Sequence, residues 1–291
     1  MAQRRADTTR LPYLCATLKE LAVSAETMLA FETDCHIFSG CGFPAPGLQS
    51  FVFEPLFTIN GFEFNKVMLL ALLSTIIVVV FFWAAFGRAK VVPGKLQMIG
   101  EAGYDFVRRG IVYDALGKKE GEKYVPFMVA LFFFVWIMNL WSIVPVAQFP
   151  VTSIISFPAG LAAIVYLTWV TLTFKRHGFI GALKNFSGYD KSLGWVLPLM
   201  IVLELLSNLV IRPFTHAVRL FANMFAGHLL LLMFTIASWY LLNGIGIVYA
   251  GASFVMTILL TAFELFIQAV QAYVFVLLTA NYIQGALAEH H

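Results

Sequence analysis

The chain has 291 residues, of which 60% are hydrophobic and only 12% charged, with a mean hydropathy of +0.83. A soluble domain of this size needs more charge to cover its surface, so a polytopic membrane protein is expected, all-α in class. The formal net charge of +3 is modest and its basic residues are scattered along loops, which argues against a nucleic-acid partner.

In chain order, the first 27 residues hold arginines but no apolar core before Lys19 and Glu20, which makes a poor signal peptide. Met28 is an alternative start. Residues 1–65 read as an external N-terminal segment, and Phe31–Gly61 within it as irregular and surface-lying. Cys15, Cys35 and Cys41 form no metal-ligand pattern; Cys35 and Cys41 are open either to a disulfide or to two free thiols.

Residues 66–287 are expected to form one helical transmembrane domain. A bilayer core takes about 20 helical residues, and spans are predicted over 67–86, 125–148 and 151–174. Pro145, Pro150 and Pro158 separate the last two. Between the first two spans, "KLQMIGEAGYDFVRRG" sets Leu96, Ile99, Phe106 and Val107 near one face, an amphipathic surface helix over about 95–109. The link carries Arg88, Lys90, Lys95, Arg108, Arg109, Lys118, Lys119 and Lys123, and Lys175, Arg176, Lys184 and Lys191 follow span three, whereas the connection around 148–158 carries none. The positive-inside rule then puts the N-terminus outside and the C-terminus in the cytoplasm.

Two apolar arms remain, 193–243 and 246–288, each about twice as long as the hydrocarbon is thick. They either break or form a long, steeply tilted hairpin, turning at Gly244–Gly246, for about five crossings in all.

These arms carry Arg219, Asn223, His228, Glu264, Gln268 and Gln271. A charge at the bilayer centre costs about 2.5–3.5 kcal/mol, so such residues are functional by default, against snorkelling or mutual neutralisation. In an antiparallel hairpin, facing residues have a constant sum of numbers: Arg219 with Gln271 gives 490 and His228 with Glu264 gives 492, both centred on the glycine turn. Arg219 and His228 nevertheless point to opposite faces of a straight helix, so both pairs cannot touch. Glu204, Ser207, Asn208 and Arg212 form a second polar cluster toward the inner side, with Arg212 read as a structural residue. His216 reads as a packing residue, and His36, His177, His290 and His291 as loop residues without a metal site. Histidine and glutamate exchange protons near neutrality, while arginine holds its own. Two titratable clusters separated by a permanent cation describe two half-paths with a barrier between them.

"RLFANMFAGHLLL" (Arg219–Leu231) and "ELFIQAVQAYVFVLLTANYI" (Glu264–Ile283), with the weaker "FVWIMNL" and "LPLMIVLELLSNLVIRP", resemble subunit a of the F-type ATP synthase, over roughly 50–287. The resemblance implies a proton-channel stator beside a rotating c-ring, with no cofactor and no catalytic residue of its own. Arg219 would be the stator arginine facing the c-ring carboxylate, with Asn223 and Gln271 its polar neighbours and His228 and Glu264 in the external half-channel; Gln268 is a further half-channel candidate. Glu204, Ser207 and Asn208 would line the inner one, although Glu204 stands one residue farther from Arg219 than the family pattern has it. Ser142 stands where some relatives carry an aspartate. Further implied partners are peripheral-stalk b-type subunits, the catalytic head through the stalk, and lipid. A bacterial plasma membrane is the expected location. The alternative is a stand-alone secondary transporter or ion channel in which Arg219 binds an anionic substrate.

Overall fold

The structure, a computed structural model, describes residues 43, 45–47, 51, 55–59, 62–87, 90–144, 147–187, 197–242 and 246–287. All three cysteines, Met28, His36, His290, His291 and most of the N-terminal segment lie outside the described residues.

The chain is an all-helical membrane protein with one small strand pair. Strands β1 (Pro55–Ile59) and β2 (Phe62–Asn65) pair antiparallel, with Ile59 opposite Phe62 and Thr58 opposite Glu63. The expectation of irregular chain through Gly61 is thus corrected. The signal was present as Asn60-Gly61 between two Phe-bearing segments, the sequence pattern of a two-residue hairpin.

Helix α1 (Lys66–Phe86) follows directly, apolar for its full 21 residues. Helix α2 (Lys95–Val107) falls where the amphipathic helix was expected and is continued by a π-helical segment (Arg108–Tyr113) and by α3 (Asp114–Gly121). Gly117 breaks α3 with φ 74, a left-handed conformation that suits glycine. Helix α4 (Val125–Leu140) stops eight residues short of the span expected to reach residue 148. The chain turns there instead, with Ser142 and Ile143 N–H groups donating to the Asn139 and Leu140 carbonyls, ahead of Pro145, which disfavours helix at the residue before it. Residues 151–153 form a 3-10 turn, and α5 (Ser156–Ser187) begins five residues later than the third span was expected to. Gly178, at φ 68, divides α5 just after Lys175, Arg176 and His177.

The first arm is α6 (Leu197–Leu206), a π-helical segment (Ser207–Ile211) and α7 (Arg212–Tyr240), 44 residues without interruption. Pro213 explains the π segment: it lacks an N–H, and its ring crowds the carbonyl four residues back, which widens the turn before it. The second arm is α8 (Ile247–Leu287), 41 residues in one helix. Neither arm breaks, and at 1.5 Å per residue each runs for about 60 Å or more. Such lengths tilt in, or project from, a hydrocarbon core of about 30 Å. Gly246 makes the tight return possible, because a Cβ there would lie 2.5 Å from the Leu241 carbonyl oxygen. Gly244 lies outside the described residues.

Among the described residues four helices, the first arm counted as one, are long and apolar enough to cross a membrane, and α4, at 16 residues, is a shorter apolar one. Helix α4 is the buried centre. Its Val125, Met128, Val135 and Met138 are fully buried, and it packs between α1 and α8, where Phe275, Val276, Ala280 and Ile283 meet it. Leu72, Ile76, Val79 and Trp83 of α1 remain exposed, as a lipid-facing surface requires.

Candidate functional site

The polar residues of the two arms sort by position along the hairpin. Arg219 lies at the middle of the first arm, 22 residues after Leu197 and 21 before Tyr240. Its side chain is exposed and makes no hydrogen bond or ion pair among the described residues. A guanidinium on the outer face of an apolar helix is costly without an anion.

On the turn side of Arg219, Asn223 Nδ2 donates to Gln271 Oε1 at 2.6 Å, joining α7 to α8. Gln271 faces Asn223 rather than Arg219, one turn from the register that the sums suggest. Farther toward the turn, Gln268 Nε2 donates to Ser142 Oγ at 2.6 Å and to Glu264 Oε1 at 3.4 Å. Gln268 is fully buried, and Glu264 and Ser142 are each 5% exposed. Glu264 also interacts with Ser142, which closes a three-membered network between α8 and the end of α4. The carboxyl is accommodated against Gly227 of α7, where an added Cβ would lie 3.9 Å from Glu264 Cγ.

His228 stands at the same level but belongs to a different environment. Its ring lies edge-on to Phe51 and Phe149, with centroids 5.8 and 5.5 Å away, and is buried. The structure brings His228 and Glu264 to one depth of the hairpin without bonding them to each other.

On the open-end side, Asn208 Nδ2 donates to Glu204 Oε1 at 3.2 Å and to the Phe186 carbonyl at 2.9 Å. Ser207 opens the π segment beside them. That segment lies between Glu204 and Arg219, and a π turn takes in one residue more than an α turn.

Several polar atoms along both clusters are buried without a protein hydrogen-bond partner among the described residues: His228 Nδ1, Glu264 Oε2, Gln268 Oε1, Gln271 Nε2 and Asn208 Oδ1. Orphaned polar atoms cost about 1–3 kcal/mol each by mutational measures, so a concentration of them calls for partners other than the described protein atoms.

Sequence reasoning passed over part of the turn-side cluster. Thr152 Oγ1 donates to Asn139 Oδ1, and both residues are fully buried. Asn139, an amide inside the otherwise apolar α4, was the legible sign. Phe51 and Phe149, which frame His228, carried none. Among the described residues no group of three His, Cys, Asp or Glu side chains could hold a metal ion.

An all-helical polytopic fold with a mid-arm arginine flanked by buried amide, carboxyl and imidazole groups defines the class: a membrane protein that keeps ionisable chemistry inside the bilayer. Comparison with known proteins makes the assignment specific. Residues 68–284 match the ATP synthase A chain family. The chain is 74% identical over 274 residues to ATP synthase subunit a of Streptomyces lividans, covering 93% of this chain and 98% of that one. It is 40% identical over 252 residues to ATP synthase subunit a of Frankia alni, covering 85% and 87%. The subunit a of Pseudarthrobacter chlorophenolicus is 40% identical over 257 residues, covering 86% and 95%. The chain belongs to the ATP synthase A chain family, subunit a of the F-type complex, and is a multi-pass membrane protein of ATP synthesis and proton transport.

Proposed function

We propose that this chain is the proton-translocating stator of a rotary ATP synthase, providing two offset half-channels beside the c-ring. The observation that carries the reading is the isolated Arg219, exposed at the middle of the arm, with partnerless buried polar atoms on both sides of it. An exposed guanidinium with no acid of its own is matched by an external carboxylate, which a c-ring subunit supplies.

In the direction of synthesis, a proton enters from outside and passes the cluster of His228, Glu264, Gln268 and Ser142. It neutralises a ring carboxylate, which can then face lipid because its charge is gone. Rotation carries the carboxyl round to the inner path, where water and the Glu204–Ser207–Asn208 cluster receive the proton. Arg219 attracts the carboxylate as it re-ionises. Because its guanidinium does not give up protons, it prevents a direct leak between the half-channels. Asn223 and Gln271 hold the two arms together one turn from it. Each proton contributes about 2.3 kcal/mol per 100 mV of membrane potential.

The N-terminus lies outside and the C-terminus in the cytoplasm of a bacterial plasma membrane, a topology supported by the basic residues between α1 and α4. The partners are the c-ring, the b-type stalk subunits and, through the stalk, the catalytic head. Purification of the native complex tests the reading: the chain co-purifies with a ring of small two-helix subunits, and its function depends on protons. Isolation as an active monomeric carrier would contradict it.

A further inference from the structure

Between Arg219 and the Glu204–Asn208 cluster stands a group that the half-channel reading leaves unused. His216 lies three residues before Arg219, about 4.5 Å along the helix axis. It is 3% exposed. Its ring sits against Phe275, with centroids 4.0 Å apart, and 5.6 Å from that of Tyr282. Its Nε2 is buried without a hydrogen-bond partner among the described residues. An apolar side chain would fill the same space beneath Phe275 without orphaning a ring nitrogen, so packing alone does not account for a histidine.

A second observation concerns the space beside the ring. A cavity of about 10 Å³ is lined by His216, Arg212, Tyr166 and Tyr282, with Ala162 contributing too little side chain to fill it. That volume is at the lower limit for one water molecule, and the polar-bearing side chains on its wall, His216, Arg212, Tyr166 and Tyr282, stand beside the apolar Val165, Trp169 and Pro213. The Arg212 guanidinium lies over the Tyr282 ring, 5.9 Å from its centroid. Asn208, Arg212, His216, Arg219 and Asn223 follow one another at steps of four, four, three and four residues, a polar stripe along one side of the arm. His216 is therefore the first titratable group met on passing inward from Arg219.

We propose that His216 is a proton relay of the inner half-channel, working with a water held in the adjoining cavity. The inference rests on the half-channel reading and deepens it. A protonated ring carboxyl arriving at Arg219 gives its proton, through water, to the neutral imidazole. The carboxyl O–H bond breaks, an N–H bond forms on His216, and the carboxylate is left facing Arg219. The imidazolium then loses a proton to the cavity water, which passes it toward Asn208 and Glu204. One proton moves and no electron does. ATP-driven pumping runs the same steps in reverse. The charged and titratable groups around the ring are Arg219 and Arg212 from its own helix, Tyr282 from α8 and Tyr166 from α5. Of these groups the imidazole is the one that can take up a proton at one ring nitrogen and release it from the other.

The test uses the whole ATP synthase, reconstituted in liposomes, with His216→Gln and His216→Leu compared with the unmodified complex. ATP-driven proton pumping is read with a pH-sensitive dye at a series of pH values on the head-group side. Glutamine keeps polarity but cannot carry the proton, so His216→Gln slows pumping by roughly tenfold or more. It also alters how pumping depends on the pH of the head-group side, because the relay proton can no longer be taken up at this position. His216→Leu gives the same loss with an unchanged amount of this subunit per complex; if leucine prevents assembly, the glutamine variant decides alone. Pumping within twofold of normal and an unaltered pH profile in His216→Gln overturn the relay. Arg219→Ala, measured alongside, separates the two claims: coupled pumping in that variant overturns the half-channel reading itself, whereas a dead Arg219→Ala with a normal His216→Gln overturns only the relay.

Discussion

The hydrogen bond from Asn223 to Gln271 ties the two arms together one turn from Arg219, and its contribution can be isolated by a double-mutant cycle. The variants are Asn223→Ala, Gln271→Leu and the pair combined. Gln271 is 4% exposed and Asn223 reaches it at 2.6 Å, so each single change leaves the other amide without this partner inside the membrane. Interhelical hydrogen bonds in membranes average about 0.6 kcal/mol and reach about 1.7. If the contact orders the arms for transfer, its loss lowers the rate by roughly threefold to eighteenfold. Gln271 Nε2 already lacks a protein partner, so removing both amides adds little to removing one. ATP-driven pumping in inverted vesicles gives the three rates relative to the unmodified chain. The expected result is a double variant no slower than the slower single one, a coupling equal to most of the single-variant loss. Strictly multiplicative losses would show that the two amides act separately and would refute the idea of a joint.

Gly227 faces the Glu264 side chain across the hairpin with room for no more than a small group between them. Gly227→Ala places a methyl at ordinary contact, 3.9 Å from Glu264 Cγ, and keeps pumping, whereas Gly227→Leu displaces the carboxyl and stops it; equal activity in the two would show that the space is not part of the path. At the π segment after α2, Glu122 is bonded by the Tyr113 hydroxyl and by Arg108 at 2.7 Å. The Tyr113 hydrogen bond foremost, and then Arg108, hold its carboxyl below the usual carboxylate range. A carboxylate depressed by folding stabilises the fold above its unfolded pKa and loses that contribution as pH falls through the folded one. Protection of the Arg108–Tyr113 amides from hydrogen exchange therefore persists at neutral pH and fades only below about pH 4. Glu122→Gln loses it already at pH 7, and unchanged exchange in that variant would count against the knot.

What the sequence disclosed follows from how membrane helices are built. Long uncharged runs are unambiguous because nothing else satisfies a backbone in lipid, so α1, α5 and both arms were legible. The constant-sum rule located the hairpin, and the observed cross-arm contacts, Asn223–Gln271, Gly227–Glu264 and Ser253–Phe234, scatter around it with sums of 494, 491 and 487. That drift is what straight-helix arithmetic leaves out, and it exchanges Arg219 for Asn223 as the partner of Gln271. The two π segments were not legible, since hydrophobic periodicity averages over a single widened turn, although Pro213 marked one of them. The end of α4 at Leu140 was hidden because the turn that follows is as apolar as the helix. The environment of His228 depends on Phe51, 177 residues away in sequence, and no local pattern carries such a contact.

The account turns on a fixed cation that no side chain among the described residues of its own subunit neutralises. Replacing it with alanine and recording ATP-driven acidification of inverted vesicles, in a complex shown to retain this subunit and its ring, addresses that most directly. Complete loss of coupled pumping, with ATP hydrolysis by the head still measurable, is the predicted result. Acidification at an undiminished proton yield per ATP would contradict the assigned role of Arg219.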